Sequence, residues 1–124
     1  MSWVWRQKLG ELYDAAGERV ATGYSGHGAG VNDPAMQSIE NVGPIPQGRW
    51  SINGPRDVPG RGPYVLPLTA TATTETFGRG GFLIHGDALE HPGAKLASHG
   101  CIILARSIRE RIWDSGDHDL EVVA

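Results

Sequence analysis

A single cysteine, Cys101, stands in the whole chain of 124 residues. That excludes an internal disulfide framework and leaves the compartment unmarked by cysteine usage. No stretch approaches the ~20 apolar residues of a membrane-spanning helix. Charge is nearly balanced: the formal net charge of −3 supplies no long-range attraction to nucleic acid or to an anionic bilayer. Met1-Ser2-Trp3-Val4-Trp5-Arg6 lacks the basic start and apolar core of a Sec signal. Repeats, heptads, low-complexity blocks and dividing linkers are missing as well, so one domain over residues 1–124 is expected.

Glycine and proline, by contrast, are plentiful, at eighteen and eight. They imply many tight turns and short elements, hence a mainly β fold, α+β at most, with one or two short helices. Folding at this length buries roughly two-thirds of the surface that the unfolded chain exposes, enough for one core. Residues 3–8 and 11–14 read as a hairpin with Trp3 and Trp5 on one face, followed by a third strand from Glu18 to Tyr24. Ser25-Gly26-His27-Gly28-Ala29-Gly30 reads as a flexible surface loop, since no lysine or helix follows to complete a phosphate cradle. Asp33 and Pro34 form a helix-start pair. Residues 49–53 alternate with Trp50 and Ile52 inward. Residues 54–63 read as a loop, and 64–71 as a strand that Pro67 assigns to an edge or a bulge. Ser107 can cap a short helix that buries Ile108, Ile112 and Trp113, and Leu120–Val123 closes the chain as a strand.

Two apolar runs carry chemistry. Phe82-Leu83-Ile84-His85-Gly86-Asp87 ends near one histidine. Ser98-His99-Gly100-Cys101-Ile102-Ile103-Leu104 holds another beside the cysteine. Twelve residues separate His85 from Ser98, so an imidazole and a thiol on two strand ends can meet across a loop. An imidazolium beside the thiol would lower its pKa from ~8.5, and an imidazole can serve as base and acid. Gly100, lacking a Cβ, leaves the amides of Gly100 and Cys101 open to a developing oxyanion. Ser98 can hold an imidazole or the local turn. Burial as a small hydrophobe is the commoner fate of a lone cysteine. His27, His91 and His118 read as solvated, and Asp87 as an orienting or turn residue. Zinc on His85, Asp87, His99 and Cys101 is a further arrangement that these spacings allow.

At these residues the chain resembles the L,D-transpeptidase (YkuD-type) family, whose signature is a histidine, a spacer, and Ser/Thr-His-Gly-Cys followed by an apolar residue. Ile84-His85-Gly86 and Pro46-Gln47-Gly48-Arg49-Trp50 resemble flanking segments of that family. Trp3-Val4-Trp5, Gly23-Tyr24-Ser25-Gly26, Gly43-Pro44-Ile45-Pro46 and Ile112-Trp113 are similar to its compact branch of type VI secretion effectors. The spacer is a few residues shorter than is usual, and Ile103 stands where many members carry an arginine.

The resemblance implies a compact β-sandwich or barrel with no cofactor and no metal. It implies Cys101 as nucleophile, His85 as base, and His99, Gly100 and Ser98 around them. Arg79, Arg106 and Gly86 are then candidates for holding substrate. The implied substrate is a peptidoglycan tetrapeptide stem, cleaved through a thioester with release, exchange or cross-linking. The implied setting is the periplasm after specialised secretion, with a cognate immunity protein as a possible partner. The alternatives are a catalytically silent wall-binding domain of the same fold, and a zinc hydrolase.

Overall fold

The computed structural model describes residues 1–88, 95 and 97–124. Strands β1 (Trp3–Arg6) and β2 (Glu11–Tyr13) pair antiparallel. Gly10 turns between them at φ +63°, and Trp3 and Trp5 share the buried face. Strand β3 (Arg19–Thr22) pairs on β2. It is shorter than expected. The chain breaks at Gly23, whose amide bonds the Gly10 carbonyl at 2.8 Å and where a Cβ would lie 2.0 Å from the Ile103 carbonyl. Tyr24–Ser25 then form a separate strand, β4.

The remaining elements are β5 (Gly48–Ile52), β6 (Arg56–Val58), β7 (Gly62–Ala70), β8 (Leu83–His85), β9 (Ile102–Ile103), helix α1 (Arg106–Asp114) and β10 (Asp119–Val123). Short 3-10 turns stand at Gly28–Gly30 and Pro34–Met36, the second capped by the Asp33 carboxylate on the Ala35 amide. The strands run in the order β3-β2-β1-β10-β5-β7-β8-β9-β4, with β6 on β7. The two ends of that order, β3 and β4, are separated in the chain by Gly23 alone. One residue spans only about 7 Å between its neighbours, so the sheet curls round until its edges approach. Among the described residues the fold is mainly β with one α-helix, as the glycine and proline content implies.

Two expectations about β6 and β7 are corrected. Residues 54–63 contain β6, which forms a hairpin with β7. Strand β7 lies inside the sheet, between β5 and β8. Pro67 is tolerated there because its carbonyl side faces Asn53, beyond the end of β5, and accepts from the Asn53 amide and side chain. The N–H and C=O of one extended residue point to the same side, so the missing donor costs no ladder bond.

The main core packs Trp5, Leu12, Ile45, Trp50, Leu66, Ile84, Ile102, Ile112 and Leu120. A smaller cluster of Tyr24, Cys101 and Ile103, with Val31, Leu83 and Ala97 against it, covers the other face of β8 and β9. Alternation along the strands divides the two sets: Ile84 and Ile102 point inward, Leu83 and Cys101 outward.

Helix α1 is capped by Ala105 without a side-chain bond, so Ser107 lies within the first turn and not at the cap. Its buried stripe carries Arg109 as well as Ile112. The Arg109 guanidinium donates to the carbonyls of Leu104 (2.6 Å), Tyr64 (2.8 Å) and Pro63 (3.1 Å), tying the helix to β7 and to the end of β9. Truncating it strands three carbonyls, so Arg109→Ala is expected to lower unfolding free energy by at least about 3 kcal/mol in urea titrations. Arg111→Ala, which removes an exposed ion pair to Asp14 at 3.8 Å, is expected to cost less than about 1 kcal/mol.

Candidate active site

Strands β8 and β9 pair in parallel, Ile84 beside Ile102 and His85 beside Ile103. Consecutive parallel strands need a crossover of a dozen residues or more, which is the physical reason for the long spacer between the two histidine motifs. The register sets Leu83, His85, Cys101 and Ile103 on one face of the pair. His85 and Cys101 are therefore diagonal neighbours on that face.

His85 is buried, 2 % exposed. Its Nδ1 lies 2.8 Å from the Gly86 carbonyl. A carbonyl only accepts, so Nδ1 carries the proton and Nε2 presents a lone pair. That Nε2 is buried with no hydrogen-bond partner among the described residues. Burial, the largest influence, pushes the imidazole pKa below its ordinary value, and the charges of Arg61 and Arg109 push the same way. The ring is thus neutral near neutral pH, with the Nε2 lone pair free.

Cys101 is 8 % exposed and donates weakly to the Gly81 carbonyl at 3.8 Å. Burial raises its pKa. The backbone amide of Leu83 and the charges of Arg61 and Arg79 offset part of that rise. The resting sulfur is a thiol, whereas the sequence reading expected an ionised one. The same burial disfavours an imidazolium at His85.

The turn before β9 is held by two hydroxyls. Ser98 Oγ donates to the Cys101 carbonyl at 2.6 Å and accepts from the amides of Gly100 and Gly26, both at 3.0 Å. Ser25 Oγ donates to the Gly100 carbonyl and accepts from the Ile45 amide, both at 2.8 Å. Ser98 therefore holds backbone and not an imidazole. The Gly100 amide is occupied by Ser98 and is not free for an oxyanion. Gly100 has φ +138°, and a Cβ there would lie 2.6 Å from Arg79 Nη2 and 2.9 Å from the Phe82 ring. Glycine is needed at 100 for packing and conformation.

The thiol lines a cavity of about 210 Å³ together with His99, Gly100, Phe82, Arg79, Arg61 and Glu40. His99 is exposed, and its ring stacks on His27 at 4.8 Å. His27 is consequently half-buried and packed, which corrects its reading as solvated. His118 is exposed and stacks on Trp113; His91 lies outside the described residues.

The glycine segment at 25–30 is also packed. A Cβ at Gly30 would meet the Val42 carbonyl at 2.0 Å, and one at Gly26 the Gly30 carbonyl at 2.4 Å. It forms the floor under the Ser98 turn and is not a free loop. Asp87 accepts from the Tyr24 hydroxyl at 2.7 Å, and burial and that bond push Tyr24 up to about 12. Among the described residues no group of three His, Cys, Asp or Glu comes together to hold a metal ion.

The substrate-binding candidates separate. Arg79 lines the cavity but is buried, and its guanidinium donates to the carbonyls of Gln37, Gly43, Pro44 and His99. Arg106 is exposed, paired with Glu110 at 3.3 Å, and does not line the cavity. Gly86 also lies outside it, packed under Arg109, whose Nη1 would stand 3.2 Å from a Cβ at 86. Arg61 and Glu40, which the sequence reading passed over, are there instead. A larger cavity of about 670 Å³ near Trp3, Asp14 and His118 contains none of the motif residues.

The family model of the Tlde1 domain matches residues 19–123. The chain belongs to that family. This Tlde1 domain is thereby placed in a type VI secretion effector family, and none of its described helices is long and apolar enough to cross a membrane. No curated protein and no solved structure matches the chain. The match takes in the whole of β3 to β10, including both halves of the thiol cavity.

The thiol of this Tlde1 domain is expected to react as a buried, protonated one. Its alkylation rate with iodoacetamide should still be climbing at pH values where an ordinary free thiol, with a pKa of roughly 8.5, levels off. A plateau below that pH would instead reveal a thiolate held by an imidazolium.

Proposed function

We propose that this Tlde1 domain is a cysteine acyltransferase, an L,D-transpeptidase or L,D-carboxypeptidase, acting on peptidoglycan tetrapeptide stems. The observation that carries the reading is the unpartnered, buried Nε2 of His85 on the same sheet face as a thiol that opens into a cavity. A buried polar atom without a partner is costly. Since Nδ1 is bonded to Gly86, the free lone pair is on Nε2, which this reading assigns as the base, although His85 itself is not among the residues that line the cavity.

In this reading Cys101 Sγ attacks the carbonyl carbon between diaminopimelate and D-alanine as its proton passes to His85 Nε2. The tetrahedral oxyanion is met by the Cys101 amide. The C–N bond then breaks, the proton on Nε2 moves to the departing nitrogen, and D-alanine leaves behind a thioester. Water or an amine next gives its proton to Nε2 and attacks the thioester carbonyl; the C–S bond breaks and the proton on Nε2 returns to sulfur, restoring the thiol. Water yields a tripeptide; a D-amino acid or a neighbouring stem yields exchange or a cross-link. A protonated thiol with a neutral base needs proton transfer in the attacking step, which is the arrangement that general-base catalysis exploits. Ser98, Ser25 and Arg79 act on this chemistry by fixing the turn, and His27 by supporting His99.

Activity on peptidoglycan places the site of action in the periplasm after secretion, where a cognate immunity protein would protect the producing cell.

Incubation with disaccharide-tetrapeptide is expected to release D-alanine. Cys101→Ala should abolish the release, and undiminished activity in that variant would overturn the mechanism. His85→Gln should lower kcat by about 10²-fold or more. The reacting form needs neutral imidazole, so kcat/KM should fall as pH drops through the depressed His85 pKa, below the ordinary histidine value.

A further inference from the structure

Three charged side chains line the thiol cavity: Arg79, Arg61 and Glu40. Arg79 is spent on four carbonyls. Arg61 and Glu40 are exposed. Their side chains make no hydrogen bond or ion pair among the described residues, and they do not pair with each other. Arg61 stands on the β6–β7 hairpin turn, its amide bonded to the Val58 carbonyl. Glu40 stands on the segment after the second 3-10 turn. Two opposite charges, neither hydrogen-bonded nor ion-paired among the described residues, thus line one small cavity with the thiol, and Glu40 also feels the charge of Arg79.

The wall between them is bare. Gly78, Gly80 and Gly81 line the cavity, and a Cβ at any of the three would meet no atom within 4 Å. Gly80 has no positive φ either. Neither packing nor backbone conformation calls for glycine at 80, and its bare backbone leaves that part of the cavity open.

We propose that this cavity recognises a zwitterionic α-amino-acid group, its carboxylate at Arg61 and its ammonium at Glu40. The inference rests on the acyl-transfer reading for its setting. It names the part of the substrate that this chain reads where Ile103 replaces the arginine of similar proteins. A guanidinium pairs a carboxylate through two parallel N–H donors, and an ammonium satisfies a lone exposed carboxylate. Both charges line the same cavity of about 210 Å³, so one small ligand can meet both. Such a group has two sources in the reaction: a free D-amino acid acting as acceptor, or the side-chain amino-acid centre of diaminopimelate in the stem.

The test reads occupancy of the cavity without turnover, as protection of Cys101 from the neutral reagent iodoacetamide. Protectants are D-methionine, D-methioninamide and N-acetyl-D-methionine in one arm. In the other they are tetrapeptide stems with the diaminopimelate side-chain carboxylate free or amidated. The proposal expects the zwitterion to protect at a concentration at least about tenfold lower than its blocked analogues in one of the arms; that arm identifies the source. Arg61→Gln and Glu40→Gln should erase the preference with little change in Tm, since neither exposed side chain makes a hydrogen bond or ion pair among the described residues. Arg61→Lys should restore part of it. Equal protection by free and blocked compounds in both arms, or an intact preference in both Gln variants, overturns the proposal. D-alanine release from the same wild-type stem samples tests the acyl-transfer reading separately.

Discussion

The structure depends on the register of one parallel strand pair. His85 lies beside Ile103 and Ile84 beside Ile102. The side-chain period of a strand is two residues, so a slip of one would turn Cys101 into the core and bring Ile102 out. The surrounding sequence guards against such a slip. Two serine hydroxyls, from β4 and from the turn itself, bind both carbonyls and amides of the segment 98–101, and the Leu104 amide returns to the His85 carbonyl at 3.0 Å. The buried Arg79 ties the His99 carbonyl to those of Gly43 and Pro44. Polar groups buried in this way are individually costly but, fully satisfied, allow only one arrangement.

The electrostatic character of the pair follows from the same burial. A low-dielectric surrounding disfavours charge on both partners, so the imidazole is neutral and the thiol protonated. The pair is not a resting ion pair. In the proposed mechanism its reactivity lies in a lone pair and a proton that exchange once a substrate carbonyl takes up the developing charge. Arg61 and Arg79 offset part of the rise in the thiol pKa, and Arg61 also disfavours a positive charge on His85. One exposed side chain thus bears on both members.

Much of this was legible in the sequence, because it rests on short-range patterning. Period-two alternation locates Trp3, Trp5, Trp50 and Ile52 on inward faces. The apolar runs after Gly81 and Gly100 mark the strands, and the histidine–spacer–Ser-His-Gly-Cys spacing marks the two elements brought together. Long-range backbone partners left no such trace. Nothing in residue order tells that Arg79 is saturated by carbonyls, that Ser98 serves the Gly26 amide, or that Gly30 is crowded by Val42. Arg109 was detectable in principle, since it shares a stripe with Ala105, Ile108 and Ile112 at helical spacing; arginine at such a position goes unremarked because it is rarely buried. The break of β3 at Gly23 escaped for a similar reason: the Ile103 carbonyl that demands it lies eighty residues away in the chain.

The central claim is that His85 is a neutral imidazole protonated on Nδ1, with Nε2 bare and turned to the thiol's face of the sheet. Nitrogen-15 NMR of the histidine rings in the folded protein reads this directly. At pH 7 the account predicts a pyridine-like signal for His85 Nε2 and a pyrrole-like signal for Nδ1, with protonation only below the ordinary histidine range. A proton on Nε2, or an imidazolium at neutral pH, would contradict it.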